Sequence, residues 1–303
     1  MKPDLSVQIG SIHLQNPVLA ASGTFGYGEE VDLFDVNLLG GIVTKGLSPK
    51  PRMGNPPPRI VETGAGMLNT IGLENVGVEA FVREKLPRIG HLKAAIIANV
   101  FGGTVEDYVT VAQRLEGEKG IAALELNISC PNVHQGGMEF GNDPGLAAEV
   151  VRAVKRATRF PVIVKLSPNV TDVRLVAKAV EDAGADALSL INTIPGMAVD
   201  VYTRRPLLKN ITGGLSGPAI KPIAIRMVWQ VSKVVSIPII GIGGIATARD
   251  ALEFLIAGAS AVQVGTANFY EPLTMPRILS GLEEFLHSQE IPSIRNLIGT
   301  LQV

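Results

Sequence analysis

The sequence predicts a (β/α)8 barrel, and three observations carry that prediction. Short apolar runs recur eight times along the 303 residues, with longer amphipathic or charged stretches between most of them, the alternation that right-handed parallel crossovers require. The runs do not alternate apolar with polar, which suits parallel strands covered on both faces. The last two runs end in glycine-rich segments, Gly241-Ile242-Gly243-Gly244 and Val264-Gly265-Thr266, the positions at which such barrels commonly hold a phosphate. An open doubly wound sheet is the rival; the count of eight and those glycine-rich ends favour the barrel.

Taken in order, residues 5–9 and 11–14 read as a small hairpin closing the barrel floor. Buried strands follow at 17–21, 41–45, 95–100, 122–128, 161–166, 187–191, 237–242 and 261–265. Helical periodicity fills gaps between them, for example at 105–116, 144–158, 172–183, 219–235 and 248–257. Two stretches, 46–75 and 131–143, are longer than ordinary connections. Long loops inside a compact domain tend to be functional, and in a barrel these two would lie over the C-terminal face. Nothing resembles a linker, so residues 1–303 read as one domain.

Composition narrows the class. The charged fraction is 18% and the apolar fraction 46%, below and within the usual ranges, which leaves ample apolar surface for a core and a subunit interface. Net charge is -1 without a long basic run, so no electrostatic footprint for nucleic acid or an anionic membrane exists. The segment Met1-Lys2-Pro3-Asp4 has no apolar signal character, and no run approaches a membrane span. One cysteine cannot form an internal disulfide. The expectation is a cytoplasmic protein.

That cysteine, Cys130, stands in Asn127-Ile128-Ser129-Cys130-Pro131-Asn132, where a buried strand opens into a loop. A free cysteine is often a small core hydrophobe, and on position alone that alternative stands. Pro131 ends any regular structure, and the polar neighbours are ones a space-filler does not need. Five strands finish on a polar residue: Lys45, Asn99, Asn127, Lys165 and, just past its strand, Asn192. In a barrel these ends converge on one face. Two lysines at one mouth call for an anionic or electron-rich ligand, although either alone could snorkel to solvent. Three asparagines offer the paired donors and acceptors that a planar heterocycle with amide edges demands.

Gly213-Gly214-Leu215-Ser216-Gly217, together with the two late glycine segments, presents unobstructed backbone N–H groups for a phosphate. Gly241-x-Gly243-x-x-Ala246 matches a dinucleotide fingerprint in letters only, since no second βαβ half accompanies it. His13, His91, His134 and His287 are scattered, so no metal-ligand spacing exists, and one cysteine cannot ligate an iron–sulfur cluster.

With these segments in view, the chain resembles the class 1 dihydroorotate dehydrogenases, flavin-mononucleotide barrels of pyrimidine biosynthesis. The resemblance runs through Ala20-Ala21-Ser22-Gly23, Thr44-Lys45-Gly46, Gly64-Ala65-Gly66-Met67-Leu68-Asn69-Thr70-Ile71-Gly72-Leu73, the Cys130 segment, Ile191-Asn192-Thr193 and the 213–217 glycine run. It implies that Ser22, Lys45, Gly46, Asn99, Asn127, Lys165, Ile191, Gly217, Gly243, Gly244, Gly265 and Thr266 contact FMN. It implies a pyrimidine held by Lys45, Asn69, Thr70, Ile71, Gly72, Leu73, Asn127, Asn192 and Thr193, with Cys130 as the base. Gly136 and Gly137 in the following loop suggest a lid that brings the base in.

Cysteine rather than serine at position 130, and no membrane-associating extension ahead of the barrel, argue against the quinone-linked class. Ile191-Asn192-Thr193-Ile194-Pro195-Gly196-Met197 and Gly217-Pro218-Ala219-Ile220-Lys221-Pro222 resemble the NAD-linked class 1B catalytic subunit. That form implies a partner subunit with FAD and a [2Fe-2S] cluster, in a heterotetramer built on a homodimer. The alternatives left open are a fumarate-linked class 1A homodimer, a related FMN enzyme acting on uracil-like rings, and a non-redox barrel binding a phosphorylated ligand.

Overall fold

A computed structural model describes residues 2–29, 34–128 and 140–303. In chain order the elements begin with β1 (Val7–Ile9) and β2 (Ile12–Leu14), then β3 (Val18–Ala20), β4 (Gly41–Val43), β5 (Ile60–Thr63) and β6 (Gly66–Asn69). A helical stretch of α1 (Gly77–Ala80), a π turn (Phe81–Lys85) and α2 (Leu86–Ile89) leads to β7 (Ala95–Val100). Next come α3 (Val105–Leu115), β8 (Ala123–Asn127), α4 (Pro144–Ala157), β9 (Val162–Lys165), α5 (Val173–Asp182) and β10 (Ala187–Leu190). The short strands β11 (Ile194–Met197), β12 (Val199–Asp200), β13 (Arg205–Pro206) and β14 (Thr212–Ser216) precede α6 (Lys221–Ser232). The chain finishes through β15 (Ile239–Ile242), α7 (Ala248–Ala257), β16 (Ala261–Val264), α8 (Ala267–Tyr270) and α9 (Thr274–Ser288).

Eight strands close into a parallel barrel in the order β3-β4-β7-β8-β9-β10-β15-β16, and β16 returns to β3 with Val262 opposite Val18. Every expected strand falls on one of them. The strands β3, β4, β9, β10, β15 and β16 are buried at each position, because helices cover the outer face while side chains fill the inner one. The hairpin β1–β2 buries Val7, Ile9, Ile12 and Leu14 and turns at Gly10 against Asp186, just ahead of β10. That places it at the N-terminal end of the barrel.

The helices start where local chemistry satisfies their free N–H groups. Thr104 and Asp107 form a capping box on α3, Thr247 and Asp250 form another on α7, and Asp143 caps α4 with Pro144 at its first position. Their apolar stripes face the barrel: Tyr108, Val111, Ala112 and Leu115 on α3, and Ala147, Val150, Val151 and Val154 on α4. Between β3 and β4 the described residues hold only a 3₁₀ turn, Val36–Leu38.

A second sheet departs from the sequence reading. The 46–75 stretch, expected as a loop, contributes β5 and β6, and the excursion after β10 contributes β11 and β14. They pair antiparallel in the order β11-β14-β6-β5. Segment 213–217, expected to be a phosphate loop, is largely strand β14. A Cβ on Gly213 would lie 2.6 Å from Leu208 and 2.7 Å from the Asn69 carbonyl, and one on Gly214 would collide with Thr193. These two glycines therefore permit strands to approach.

Candidate active site

The sheet β11-β14-β6-β5 and the C-terminal ends of the barrel strands enclose a cavity of about 1200 Å³. Lys45, Asn99, Asn127, Lys165 and Asn192 all line it. The reason is positional: each follows or ends an inner barrel strand, and parallel strands carry their C-terminal ends to the same rim.

Each described residue of the two expected sets reaches this cavity. Ser22, Gly46, Ile191, Gly217, Gly243, Gly244, Gly265 and Thr266 line it. The Ser22 hydroxyl donates to the Thr44 carbonyl at 2.7 Å, and Thr266 Oγ1 donates to Ser216 Oγ at 2.7 Å. Asn69, Thr70, Ile71, Gly72, Leu73 and Thr193 line the side of the second sheet. Asn55 holds this segment, donating through Nδ2 to the Thr70 carbonyl at 2.9 Å and through its backbone N–H to the Ile71 carbonyl at 2.9 Å. Cys130, and with it the proposed lid glycines Gly136 and Gly137, lies outside the described residues.

At the centre, Asn192 Nδ2 donates to Asn127 Oδ1 at 3.4 Å, while Tyr108 OH donates to the Asn127 carbonyl at 2.8 Å. Lys165 is buried at 7% exposure. Burial pulls the Lys45 ammonium below the ordinary lysine value; nearby Glu74 opposes that shift and Arg59 adds to it. Arg59 and Glu74 pair at 2.5 Å and both line the cavity. An anion seated beside Lys45 would oppose that shift, so the site favours a negatively charged occupant.

The late glycines form a backbone cradle. Gly217 (φ 94°) and Gly244 (φ 72°) face each other, and a Cβ on Gly244 would stand 2.7 Å from the Gly217 carbonyl oxygen and 2.8 Å from Lys221 Cβ. Only glycine adopts both the conformation and the contact. Asp250 fastens this turn, accepting from the backbone N–H of Ala246 and Thr247 and from Lys221 Nζ.

Sequence reasoning missed what lies below the mouth. Glu125, fully buried, accepts from Asn99 Nδ2 at 2.8 Å, Ser189 Oγ at 2.8 Å and Gln263 Nε2 at 2.7 Å. The signal was present: a carboxylate in the apolar run Ala122-Ala123-Leu124-Glu125-Leu126 has no structural excuse unless donors await it. Arg59, Glu62 and Tyr270 at the rim were missed as well, because only tertiary contacts bring them there. Among the described residues no group of three or more histidine, cysteine or acidic side chains could hold a metal ion, and no helix is long and apolar enough to cross a membrane.

Proteins similar in sequence and in shape are known. Dihydroorotate dehydrogenase B (NAD(+)), catalytic subunit, from Citrifermentans bemidjiense is 59% identical over 303 residues, covering 100% of this chain and 99% of that protein. The protein of the same name from Pelobacter propionicus is 58% identical over 303 residues, covering 100% of each. The crystal structure of DHODH in complex with ferulenol from Eimeria tenella superposes with a TM-score of 0.84 over 98% of this chain and 88% of that one; at 24% identity the likeness speaks for the fold. A family model described as dihydroorotate dehydrogenase matches residues 4–286. By that match and by the full-length identity, the chain belongs to the dihydroorotate dehydrogenase family.

Proposed function

We propose that this chain oxidises dihydroorotate to orotate in pyrimidine biosynthesis, as the catalytic, FMN-holding subunit of an NAD-linked enzyme. The observation that carries the reading is the convergence of Lys45, Asn99, Asn127, Lys165 and Asn192 on one cavity in a chain 59% identical to proteins of that name.

The residues fit FMN on two counts. Asn99 Oδ1 is buried and has no hydrogen-bond partner, which marks an acceptor facing a polar ligand. At Gly217 and Gly244 any Cβ would intrude, so the backbone itself is left to meet a phosphate. Ser22, Gly46, Asn99, Asn127, Lys165, Ile191, Gly217, Gly243, Gly244, Gly265 and Thr266 would hold the cofactor, with Lys45 shared between cofactor and substrate. Bound FMN supplies the hydride acceptor.

The chain's own residues do the rest. Dihydroorotate loses a proton from one ring carbon and a hydride from its neighbour, so a base is required. Cys130, as a thiolate, takes the proton; the Lys45 ammonium supplies the field that favours a thiolate and pairs with the substrate carboxylate. Asn69, Asn127, Asn192 and Thr193 meet the amide edges of the ring. Lys165, held in the barrel interior, stabilises negative charge as electrons arrive. Electrons leave through a partner subunit with FAD and a [2Fe-2S] cluster, in a heterotetramer built on a homodimer in the cytoplasm.

The test is the visible spectrum of the purified chain, followed by anaerobic dihydroorotate. A yellow protein that bleaches, and regains colour with NAD only once the partner subunit is added, supports the reading. Reoxidation by fumarate without a partner would reassign the acceptor, and bleaching by dihydrouracil alone would reassign the substrate. Failure to bind FMN on reconstitution would overturn the reading.

A further inference from the structure

Glu125 and Lys165 are the only buried charged side chains among the described residues. Glu125 lies two residues before Asn127 on β8, so both point into the barrel from the same face of the strand. Its donors come from three other strands: Asn99 on β7, Ser189 on β10 and Gln263 on β16. In the barrel order β16 stands opposite β8, so this one carboxylate spans the interior directly below the site.

We propose that Glu125 is a positioning residue that locks the Asn99 amide with its oxygen toward the cofactor site. The inference rests on the FMN reading above. A terminal amide has two orientations related by a half-turn. An ionised carboxylate only accepts, so it bonds the amide nitrogen and repels the amide oxygen. The pattern is repeated: both Asn99 and Gln263 give their nitrogen to Glu125, and both have a buried oxygen without a partner. The Asn99 oxygen stands 3.0 Å from where a Cβ on Gly46 would stand, and Asn99 and Gly46 both line the cavity. Glu125 therefore fixes the Asn99 amide, and it shares the barrel interior with Lys165. Ser189 links the two, since it donates to Glu125 and lies opposite Lys165 in the strand register.

A glutamine at position 125 keeps the shape, removes the charge and can donate as well as accept, which frees Asn99 to turn over. The test is the midpoint potential of bound FMN in Glu125→Gln, with the FMN dissociation constant and the melting temperature measured alongside. The expected result is a folded, yellow protein whose potential moves positive, because reduction no longer adds electrons beside a buried anion. A tenfold change in relative affinity for the two redox states would appear as about 30 mV for a two-electron couple. Ser189→Ala removes one donor but leaves the charge and the Asn99 bond, and is expected to leave the potential in place. An unchanged potential in Glu125→Gln, or an equal shift in Ser189→Ala, would overturn the proposal. Should Glu125→Gln fail to fold, isotope-edited infrared spectra of the wild-type holoprotein decide: an ionised Glu125 carboxylate in both redox states supports the proposal, and a protonated carboxyl band sinks it. A wild-type chain that takes up no FMN would instead refute the functional reading on which the proposal stands.

Discussion

Lys45 and Lys165 bring two positive charges into one mouth from β4 and β9, and both line the cavity. Burying two amines at one mouth is costly without a compensating partner, so their placement points to a ligand that supplies one. Cys130 is the single cysteine of the chain. Cys130→Ala is expected to keep FMN and to slow flavin reduction by dihydroorotate by about 10²–10⁴-fold, measured by anaerobic stopped-flow; an unchanged rate would remove Cys130 as the base. The glycine cradle yields a second contrast. In Gly244→Ala the new Cβ meets backbone at 2.7 Å in a left-handed conformation, whereas in Gly265→Ala it makes ordinary contacts at 3.6 Å and 3.7 Å. The first is expected to lower the stability of the FMN-free protein by about 1–3 kcal/mol and the second to leave it nearly unchanged, as read by thermal melts of both apoproteins.

At the scale of elements, the barrel is fastened where a helix end meets the next strand. Glu181, near the end of α5, accepts from Ser236 N–H at 2.6 Å, Ser236 Oγ at 2.7 Å and Lys178 Nζ at 2.9 Å, tying α5 to the segment that enters β15. Burial by itself would raise the Glu181 carboxyl, but the Ser236 and Lys178 hydrogen bonds outweigh it and hold it down to about 2. A depressed carboxyl stabilises the fold above its unfolded-state value, and that stabilisation is lost as pH falls toward the folded one. Glu181→Gln is therefore expected to cost about 1–3 kcal/mol at neutral pH. The difference from wild type should shrink as pH falls from about 4.5 to about 2. Urea titrations across that range measure it, and a gap independent of pH would show that the carboxylate charge contributes nothing.

For the whole molecule, the consequence of the architecture is that ligand and fold share one set of contacts. The cavity is bounded by barrel strand ends on one side and by β5, β6, β11 and β14 on the other, so an occupant bridges the two layers. FMN at 100 times its dissociation constant is expected to stabilise the chain by about 2.7 kcal/mol. That predicts a melting temperature that climbs with FMN concentration and a smaller gain for riboflavin, which lacks the phosphate that the glycine cradle would hold. Equal effects of the two would place the phosphate elsewhere.

The eight barrel strands and five of the helices were legible because their signals are local: continuous apolar runs and amphipathic periodicity. The strand-end residues were legible for a related reason, since a parallel barrel sends every strand end to the same rim. The sheet β11-β14-β6-β5 was not, because its strands pair across about 150 residues of chain, Leu68 opposite Leu215, and its glycines read as a loop until Thr193 and Asn69 are seen against them. Glu125 shows the limit most clearly. Its sequence position gives a carboxylate in an apolar strand, but the donors that make it tolerable come from β7, β10 and β16. Local patterning thus determined the barrel and the rim on which the site is built, while the orientation of each polar group at that rim was decided only by tertiary packing, because a buried hydrogen bond depends on partners that the chain brings together from far apart.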